Sequence, residues 1–463
     1  MKEGEIFKKI YEIFGKEKVE IYLVGGAVRD TLRGEEIKDI DFATPVEPPR
    51  IKKILNGAGI RTYPVGWEFG TVGAVIGGKE VHITTYRRKE KYKPGDRKPE
   101  VEFGGSIEED LRRRDFTINA MALTPEGKLI DPFGGREDLE KGIIRTPQDP
   151  DDSFQDDPLR MLRAFRFQSQ LGFKIEKNTF DSIKRNAFRV MILSKERIQM
   201  EMNKLLVGKF VEKALLNLMN STLLNYFLYE LYPLKDLHQS IQEHHKDVWK
   251  HTVRVVGNTP PEEVLRWAAL LHDIAKPYVR SVEQGEIHFY RHEDLGAEMA
   301  FHILTRLKFP KKMVKEVAFL VAKHMRPALY RSEWTDSAVR RFIREMGERL
   351  EKVMTLAKAD ITSYRPERVR ERLRLLEELS SRVERLLSVR EVTCPVNGFE
   401  IMERFSLSPG PLIGKIKSLL LEGILNGELP ETSEDKEIYF QFIEKKLPSL
   451  LANDICGEKK EQK

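Results

Sequence analysis

The chain has little of what would place it outside the cell or in a membrane. Its 463 residues include two cysteines, Cys394 and Cys456, which form no CxxC pair. So few cysteines exclude a disulfide scaffold and indicate a reducing compartment. No apolar run approaches the roughly 20 residues that span a bilayer, and the N-terminus, MKEGEIFKKIYEIFGKE, lacks the apolar core of a signal peptide. We therefore expect a cytoplasmic protein without membrane contact, beginning with an amphipathic helix.

The chain also lacks a strong excess of either charge. Its 79 lysines and arginines exceed its 73 acidic residues by only six, and the isoelectric point is near 8.9. Such mild basicity permits a nucleic-acid partner without requiring one. A chain of 463 residues is too long for one hydrophobic core. We therefore expect two to four globular domains.

Hydrophobic periodicity divides the chain into an α+β part and a helical part. Short buried or alternating runs at 21–26, 39–44, 70–76 and 80–87 predict strands, and the last two should form a hairpin around Gly77-Gly78. From Pro147 onward the apolar spacing is helical, and strands should almost vanish. The predicted fold class is α+β, a small mixed β-sheet head followed by an all-α remainder.

Three other segments have a distinct composition. Residues 88–100, RKEKYKPGDRKPE, are charged, contain breakers and should form a flexible loop. Residues 369–389 predict a long amphipathic helix, and 456–463 a disordered end. At 407–429 a helix start is flanked by a glycine- and lysine-containing stretch that could bind an RNA phosphate, although an ordinary capped surface helix fits equally well. The residues concerned there are Pro409, Gly410, Gly414, Lys415 and Lys417.

A glycine pair and a carboxylate pair lie close together near the N-terminus. Gly25 and Gly26 follow a predicted strand and precede a helix. Backbone N–H groups at such a junction can bind a phosphate, but a plain tight turn explains two glycines equally well. Asp39 and Asp41 follow, and residues i and i+2 of a strand face the same side. Two adjacent carboxylates repel unless a cation lies between them, so the pair predicts a divalent-metal site suited to phosphoryl transfer.

Six motifs, in order over about the first 210 residues, make the chain resemble a known superfamily. They read LVGGAVRD (23–30), KDIDFAT (38–44), RRDFTINAMA (113–122), DPFGG (131–135), DDPLRMLRAFRF (156–167) and SKERIQMEMNKLL (194–206). They are similar to those of the DNA polymerase β-like nucleotidyltransferases, specifically the class II CCA-adding tRNA nucleotidyltransferases and bacterial poly(A) polymerases. The resemblance implies template-independent addition of CCA to the tRNA 3′ end from CTP and ATP.

The resemblance also implies roles for individual residues. Asp39 and Asp41 would be the catalytic pair that holds Mg²⁺. The incoming nucleotide would contact a further set, namely Gly25, Gly26, Arg29, Arg114, Asp115, Asn119, Asp157, Arg160, Arg163 and Arg166. Within that set, Asp157 and Arg160 would resemble the family's protein template, which hydrogen-bonds the edge of C or A. The 88–100 loop would switch the pocket from C to A, so its presence favours full CCA addition or A addition.

The residue pattern supports a polar pocket around these arginines. Asp157 and Arg160 are three residues apart and should share one helix face, and Arg163 and Arg166 continue that i, i+3 ladder. A solvated basic stripe would show the same spacing. Apolar residues fill the gaps, however, so the helix should be buried and its arginines should need anionic partners.

One position departs from the family pattern. His82 stands where such enzymes often carry a third acidic residue, and Glu80, two residues earlier, could point the same way. The identity of any third head carboxylate therefore stays open, while the Asp39–Asp41 pair is unaffected.

The middle of the chain concentrates histidine. Nine of the ten histidines fall between His238 and His324, and their pattern resembles the HD phosphohydrolase superfamily. That resemblance implies a metal site made of His251, His272, Asp273, His292, His324 and Asp360. Imidazole and carboxylate together suit a transition metal such as Ni²⁺ or Mn²⁺, or Mg²⁺. A degenerate bundle whose histidines only pack is the alternative.

Joined to this head, such a domain implies phosphatase or 2′,3′-cyclic phosphodiesterase activity. The predicted domains are a nucleotidyltransferase head (1–145), a neck with the template helices (146–215), a helical body with the HD site (216–365) and a tRNA-binding tail (366–455). The expected partners are the tRNA acceptor arm, ATP and CTP, and the chain would be a monomer or a homodimer.

Three other functions are compatible with parts of the sequence. An A-adding enzyme or poly(A) polymerase of the same family is the nearest, although the HD segment argues against a poly(A) polymerase. An HD phosphohydrolase with a vestigial head is less consistent with Asp39, Asp41 and the intact RRDFTINAMA motif. An RNA-binding module without chemistry is inconsistent with both predicted metal sites.

Overall fold

The first 145 residues form a mixed sheet with helices packed against it, and buried and exposed residues alternate along several of its strands. The computed structural model describes residues 3–37, 39–91, 100–237, 247–362, 366–388, 394–425, 428–430 and 433–457. The head helices are α1 (Glu3–Lys16), α2 (Gly26–Arg33), α3 (Pro48–Gly57), α4 (Ile107–Arg112) and α5 (Gly135–Lys141). Its strands are β1 (Tyr22–Val24), β2 (Ile40–Thr44), β3 (Thr62–Pro64), β4 (Thr71–Ile76), β5 (Lys79–Thr85), β6 (Arg87–Lys91), β7 (Glu100–Phe103), β8 (Ala122–Leu123) and β9 (Leu129–Ile130).

The head sheet has seven strands in the order β3-β4-β5-β2-β1-β8-β9. Only β2 and β5 pair in parallel, which places Asp41 opposite His82, and the other neighbours are antiparallel. The amphipathic helix α1 covers the sheet with Ile6, Ile10 and Phe14, each fully buried. The predicted strands, the hairpin around Gly77-Gly78 and the opening helix are therefore confirmed.

The 88–100 segment, predicted to be a flexible loop, begins and ends in strands. Strands β6 and β7 pair antiparallel with a register shift between Arg87 and Lys89, so 88–91 and residue 100 are strand rather than loop. Charged residues can pair in this way because strand pairing uses backbone N–H and C=O groups. The centre of the segment lies outside the described residues.

The rest of the first of two compact units, residues 1–322, is mainly helical. Its helices are α6 (Pro150–Asp156), α7 (Leu159–Leu171), α8 (Lys177–Asn186), α9 (Lys195–Leu206), α10 (Val211–Asn220), α11 (Val248–Asn258), α12 (Glu263–Leu271), α13 (His292–Arg306) and α14 (Lys311–Lys323), which ends at the unit boundary. Four short strands also occur: β10 (Ile143–Ile144), β11 (Lys174–Ile175), β12 (Arg280–Glu283) and β13 (Glu286–Phe289).

The predicted fold class, an α+β head followed by a helical remainder, is confirmed, and two short strand pairs occur beyond the head sheet. Strands β10 and β11 pair in parallel, and β12 and β13 form a hairpin closed by Gln284 and Gly285. Both turn residues have positive φ, 52° and 81°, as a two-residue turn that matches strand twist requires. This turn is not among those predicted from the sequence.

The second unit, residues 323–463, is helical throughout its described part. Its helices are α15 (Asp336–Met346), α16 (Leu350–Ala359), α17 (Pro366–Ser388), α18 (Gly398–Phe405), α19 (Pro411–Leu425) and α20 (Glu437–Gly457). The predicted long helix is confirmed as α17. Residues 456 and 457 continue α20 instead of being disordered, and 458–463 lie outside the described residues. The predicted domain boundaries stay predictions.

None of the helices in the described ranges is both long and apolar enough to cross a bilayer. Cys394 is a free thiol, and the Cys456 side chain lies outside what the structure describes.

The close packing of α5 against the rest of the head gives a test of the fold. A Cβ added at Gly135 would lie 2.2 Å from the Thr117 carbonyl oxygen and 2.8 Å from the Met121 side chain. Gly135→Ala should therefore lower the free energy of unfolding by about 1–3 kcal/mol, measured by thermal and denaturant melts. Gly15→Ala, on α1 with nothing within 4 Å, should be neutral or stabilising. Equal stability of the two variants would contradict this packing.

Candidate active site

A glycine turn forms one wall of the head cleft. Strand β1 ends at Val24, and α2 begins at Gly26. Gly25 caps the helix with φ 71° and ψ −138°, and a Cβ there would lie 2.9 Å from Arg114 Nη1. Only glycine satisfies both constraints without strain. The turn therefore lets a guanidinium approach the backbone where a helix N-terminus offers N–H groups to an anion.

The predicted carboxylate pair faces the same cleft. Asp41 lies on β2 and is half-buried, while Asp39 immediately precedes the strand and is exposed. Both line a cleft of about 870 Å³ together with Gly25 and Gly26. Carboxylate oxygens on a solvent-accessible wall are the donors that Mg²⁺ prefers, so the residues present fit the predicted ion.

His82 occupies the place of the third acidic group. Its Nδ1 lies 3.6 Å from Asp41 Oδ1, and that carboxylate raises the pKa of the imidazole, against the lowering effect of burial. Glu80 is exposed and is not among the described residues that line the cleft. The described part of the head thus has an imidazole beside Asp41, one of the two predicted catalytic carboxylates.

A buried polar chain crosses the floor of the cleft. Arg29 pairs with Asp30 at 2.8 Å and donates from Nη1 to the Asn119 amide oxygen, also at 2.8 Å. The Asn119 amide donates in turn to Asp115, whose other oxygen accepts from Arg163 Nε at 2.8 Å. The structure therefore brings these predicted residues together in one hydrogen-bonded chain.

An aromatic ring organises the arginines of α7. The guanidinium carbons of Arg166, Arg29 and Arg163 lie 4.1, 5.4 and 5.8 Å from the centre of the buried Phe167 ring. Arg166 also lies 2.9 Å from the buried Glu201. Burial and repulsion by Arg163 lower the pKa of Arg166 to about 10. The expectation of anionic partners is confirmed for Arg163 and Arg166, whereas Arg160 donates to a hydroxyl and to carbonyl oxygens.

The predicted template pair lines the cleft in an unexpected way. Asp157 is not on a helix face, because it is extended (φ −143°) at the end of α6. Its carboxylate accepts from Leu159 N and Arg197 at 3.0 and 2.8 Å. Arg160 is 6% exposed and donates to the Ser153 hydroxyl at 2.9 Å. Pro158 favours an extended conformation in the preceding residue, which explains why the shared-face prediction is wrong.

The cleft as a whole is strongly charged. Among the described residues, ten basic side chains line it, namely Arg29, Arg87, Arg113, Arg114, Arg160, Arg163, Arg166, Arg197, Lys204 and Lys209. Seven acidic ones oppose them, namely Asp30, Glu35, Glu36, Asp39, Asp41, Asp115 and Asp157. Such a wall suits a polyanionic ligand accompanied by divalent cations.

Four of the six residues predicted to form the HD metal site lie close to one another. His272 and Asp273 stand immediately after α12 rather than within a helix, and His251 is on α11. The two Nε2 atoms of His251 and His272 are 3.2 Å apart. Asp273 Oδ2 lies 3.4 and 3.3 Å from those nitrogens, and its Oδ1 lies 3.5 Å from Nε2 of His292.

Backbone carbonyls fix the tautomers of two of these imidazoles. Nδ1 of His272 donates to the Ala269 carbonyl, and Nδ1 of His292 donates to the Phe289 carbonyl, both at 2.8 Å. In the neutral rings the Nε2 lone pairs then face Asp273, which is the arrangement of metal-bound histidines. Burial lowers the pKa of His292 despite the nearby carboxylate, which favours the neutral, ligating form.

The charge of Asp273 is compensated locally. Burial by itself would raise its pKa, but His272 and Lys276 outweigh burial and hold the pKa well below its usual range. Lys276 Nζ donates to Asp273 at 2.7 Å. A carboxylate that stays ionised among imidazoles is a donor set that suits a divalent transition metal.

The two other predicted HD ligands belong to the second unit. His324 is buried just beyond α14, and Asp360 caps the end of α16. Their membership of the site stays a prediction.

Comparison with known families accounts for most of the chain. Residues 21–145 match the Poly A polymerase head domain, and 172–234 match the "probable RNA and SrmB-binding site of polymerase A". Residues 236–365 match the HD domain.

Curated relatives match over nearly the whole length. A CCA-adding enzyme of Geobacillus sp. is 33% identical over 415 residues, which is 90% of this chain and 91% of the relative. An A-adding tRNA nucleotidyltransferase of Deinococcus radiodurans is 33% identical over 442 residues, 91% of this chain and 95% of the relative. The chain belongs to the family of CCA-adding and A-adding tRNA nucleotidyltransferases.

Solved structures of tRNA nucleotidyltransferases share this fold. The CCA-adding enzyme of Bacillus stearothermophilus in complex with CTP aligns with a TM-score of 0.69 at 29% identity, covering 97% of this chain and 99% of that one. A tRNA nucleotidyltransferase complexed with a primer tRNA and an ATP analogue aligns with a TM-score of 0.54 at 25% identity, covering 80% and 98%.

Several residues of this tRNA nucleotidyltransferase were missed from the sequence. Arg197 binds Asp157, and Glu201 binds Arg166. Both lie in the SKERIQMEMNKLL motif, in which no individual residue was predicted to have a role. Asp110 is 1% exposed and binds Arg113 and Arg114. The i, i+3 and i, i+4 spacing of one acid before two arginines was the signal that could have revealed this last cluster.

The Asp115–Arg163 pair of the tRNA nucleotidyltransferase should affect its acid stability. Burial alone would raise the pKa of Asp115, but Arg163 outweighs it and the pKa falls to about 2. A lowered folded-state pKa stabilises the protein above the unfolded-state pKa near 3.9, and that stabilisation, about 2 kcal/mol, is lost as pH falls towards 2. Between pH 5 and 2, the melting temperature of Asp115→Asn should therefore fall less than that of the wild type. Parallel curves from calorimetry would contradict the assignment.

Proposed function

We propose that the head adds C, C and A to the 3′ end of tRNA, using CTP and ATP without a nucleic-acid template. The observation that carries the proposal is the convergence of Asp39, Asp41 and the Gly25–Gly26 turn on one arginine-rich cleft. The curated relatives support the tRNA acceptor arm as the partner. A monomer or homodimer and a cytoplasmic location are part of the proposal.

Each part of the reaction would fall to a named group. Asp39 and Asp41 would hold Mg²⁺, which when bound neutralises the triphosphate and makes the tRNA 3′-hydroxyl a better nucleophile. The α2 N-terminus and Arg29 would bind phosphate oxygens. Asp115, fixed by Asn119, would orient the ribose end of the nucleotide.

Base choice would be made by side chains in fixed positions. Asp157 supplies acceptors and Arg160 supplies a fork of donors. Arg160 Nη2 donates to the Arg113 carbonyl at 2.5 Å, and Arg197 holds Asp157. A template of this kind discriminates only if its groups do not move, and these internal hydrogen bonds restrain both residues.

A-only addition is the principal alternative for the head. The Geobacillus CCA-adding and Deinococcus A-adding relatives are both 33% identical, so overall similarity does not separate the two activities. The described strands β6 and β7, which flank the predicted switching segment, favour full CCA addition or A addition under the family resemblance. Poly(A) synthesis is disfavoured because the full-length curated relatives act on tRNA and the HD match is intact.

The decisive experiment supplies CTP or ATP separately to tRNAs ending at position 73, 74 or 75. CCA addition predicts that the first two accept C and that only the third accepts A, read from product lengths on a gel. Asp41→Ala should lower the rate by at least about 10³-fold, because removing a metal ligand removes transition-state charge stabilisation. Addition of A alone would establish the A-adding alternative, and an active Asp41→Ala variant would refute the catalytic pair.

We further propose that the HD cluster hydrolyses phosphoesters such as 2′,3′-cyclic phosphates at damaged RNA ends. His251, His272, Asp273 and His292 would hold Mn²⁺, Ni²⁺ or Mg²⁺, with His324 and Asp360 as additional ligands. The ion, when bound, lowers the pKa of water to give a nucleophilic hydroxide. The ionised Asp273 and the carbonyl-fixed imidazoles support this proposal.

Asp273→Ala separates the two proposed activities. It removes the central carboxylate, so hydrolysis of bis-p-nitrophenyl phosphate and 2′,3′-cyclic AMP with Mn²⁺ or Ni²⁺ should fall to background while nucleotide addition persists. Asp41→Ala is the matched control and should show the opposite loss. Failure of the wild type to hydrolyse either compound would sink the HD proposal, and loss of both activities in either variant would refute two independent sites.

A further inference from the structure

Asp110 is a buried carboxylate with an unusual set of partners. It lies near the end of α4 and is 1% exposed. Its Oδ1 accepts from Arg113 Nη2 at 2.7 Å, and its Oδ2 accepts from Arg114 Nη2 at 3.0 Å. Burial by itself would raise its pKa, but the two arginines outweigh burial and hold the pKa well below its usual range. Asp110 is therefore an ionised group that is shielded from any ligand in the cleft.

One branch from Asp110 leads to the phosphate-binding turn. Arg114 is anchored to Asp110 through both Nε and Nη2. Its remaining terminal nitrogen, Nη1, is the atom that would lie 2.9 Å from a Cβ on Gly25. The bidentate pair thus fixes where this guanidinium lies against the glycine turn.

A second branch leads to the base-reading end. Arg113 is held by Asp110 through Nε and Nη2 at 3.2 and 2.7 Å, and its carbonyl accepts from Arg160 Nη2 at 2.5 Å. A third contact joins Oδ1 to the backbone N–H of Arg87 at 3.2 Å. Arg87 begins β6, so the carboxylate also fixes the base of the β6–β7 ribbon.

We propose that Asp110 is a positioning residue that sets the selectivity between C and A by fixing the phosphate-end and base-end arginines relative to each other. This inference rests on the proposed nucleotide addition by the head. Asp110 itself touches no substrate. It acts through Arg114 at the glycine turn, through Arg113 on Arg160, and through Arg87 on the ribbon.

The physical reason is that one nucleotide must meet both ends of the cleft at once. The substitution Asp110→Asn removes the negative charge that pairs with Arg113 and Arg114. It also replaces one acceptor oxygen by an amide NH₂ group, a donor that faces the two guanidinium groups. Arg113 and Arg114 must then shift apart or towards solvent. The groups at the phosphate end and at the base-reading end are then no longer held at a fixed distance from each other. The cleft can therefore bind an incorrect nucleotide with a smaller loss of affinity.

The test measures kcat and KM for correct and incorrect nucleotides on tRNAs ending at position 74 or 75. For Asp110→Asn we expect the ratio of kcat/KM values, correct over incorrect, to fall at least about tenfold, with KM rising for both nucleotides. Arg114→Gln should raise KM and should also lower the ratio, because it removes the phosphate-end arginine that Asp110 holds in place relative to the base-reading end. Unchanged selectivity in folded Asp110→Asn would overturn the inference.

A control and a double variant exclude a merely structural effect. Glu230→Gln breaks another two-point arginine pair, with Arg306 at 2.7 and 2.9 Å, and Glu230 is not among the described residues lining the cleft. It should lower the melting temperature without changing selectivity. In an Arg160→Ala background, Asp110→Asn should cause no further loss of selectivity, because both act through the same hydrogen bond. Additive losses would overturn the inference.

These outcomes also separate the inference from the proposed function. A wild type that adds no nucleotide to any of the tRNAs refutes the proposed function. A selective wild type alongside an equally selective Asp110→Asn variant refutes only the role of Asp110. If Asp110→Asn does not fold, Arg113→Gln keeps the test decisive, because it removes the base-end branch alone and should reduce selectivity while the melting temperature confirms folding.

Discussion

The head depends on compensation of buried carboxylates by arginines. Asp115 and Asp110 are at least nine-tenths buried, and each stays ionised only because guanidinium groups lie against it. An ionised carboxylate buried without a partner would cost several kcal/mol. The arginines in turn are held in place by those carboxylates and by the ring of Phe167. These hydrogen bonds restrain the cleft side chains before any nucleotide enters, which the proposed protein template would require.

The two predicted metal sites use different donors for different tasks. The head offers the carboxylates of Asp39 and Asp41, hard oxygen donors that suit Mg²⁺ and a triphosphate. The HD cluster offers imidazoles around one carboxylate, a set that suits transition metals and the activation of water. His82 is the exception in the head, because it places an imidazole next to Asp41. Donor chemistry thus supports separate reactions in one chain.

Predictions made from local spacing or composition were wrong where a residue's position depends on contacts with another helix or strand. Asp157 was assigned to a helix face from its spacing to Arg160, but Pro158 and the distant Arg197 place it between two helices. His272 and Asp273 likewise depend on more than one element, because they stand just past the end of α12 and lie beside His251 of α11. In the same way, the charged 88–100 segment read as a loop, but its described ends pair with each other.

The sequence by itself determined the strands and the hairpin of the head, the amphipathic α1 and α17, the glycine turn, the carboxylate spacing and the family. Those features depend on periodicities of a few residues, which the order of amino acids encodes directly. Only the tertiary structure decided that Arg29 meets Asn119, that Arg163 meets Asp115, and that Asp110 joins the ribbon to the arginines. Such pairs are separated by 90, 48 and 23 residues. No local periodicity relates residues that far apart. Tertiary packing brings them together, as where Phe116 of the head contacts Phe167 of α7.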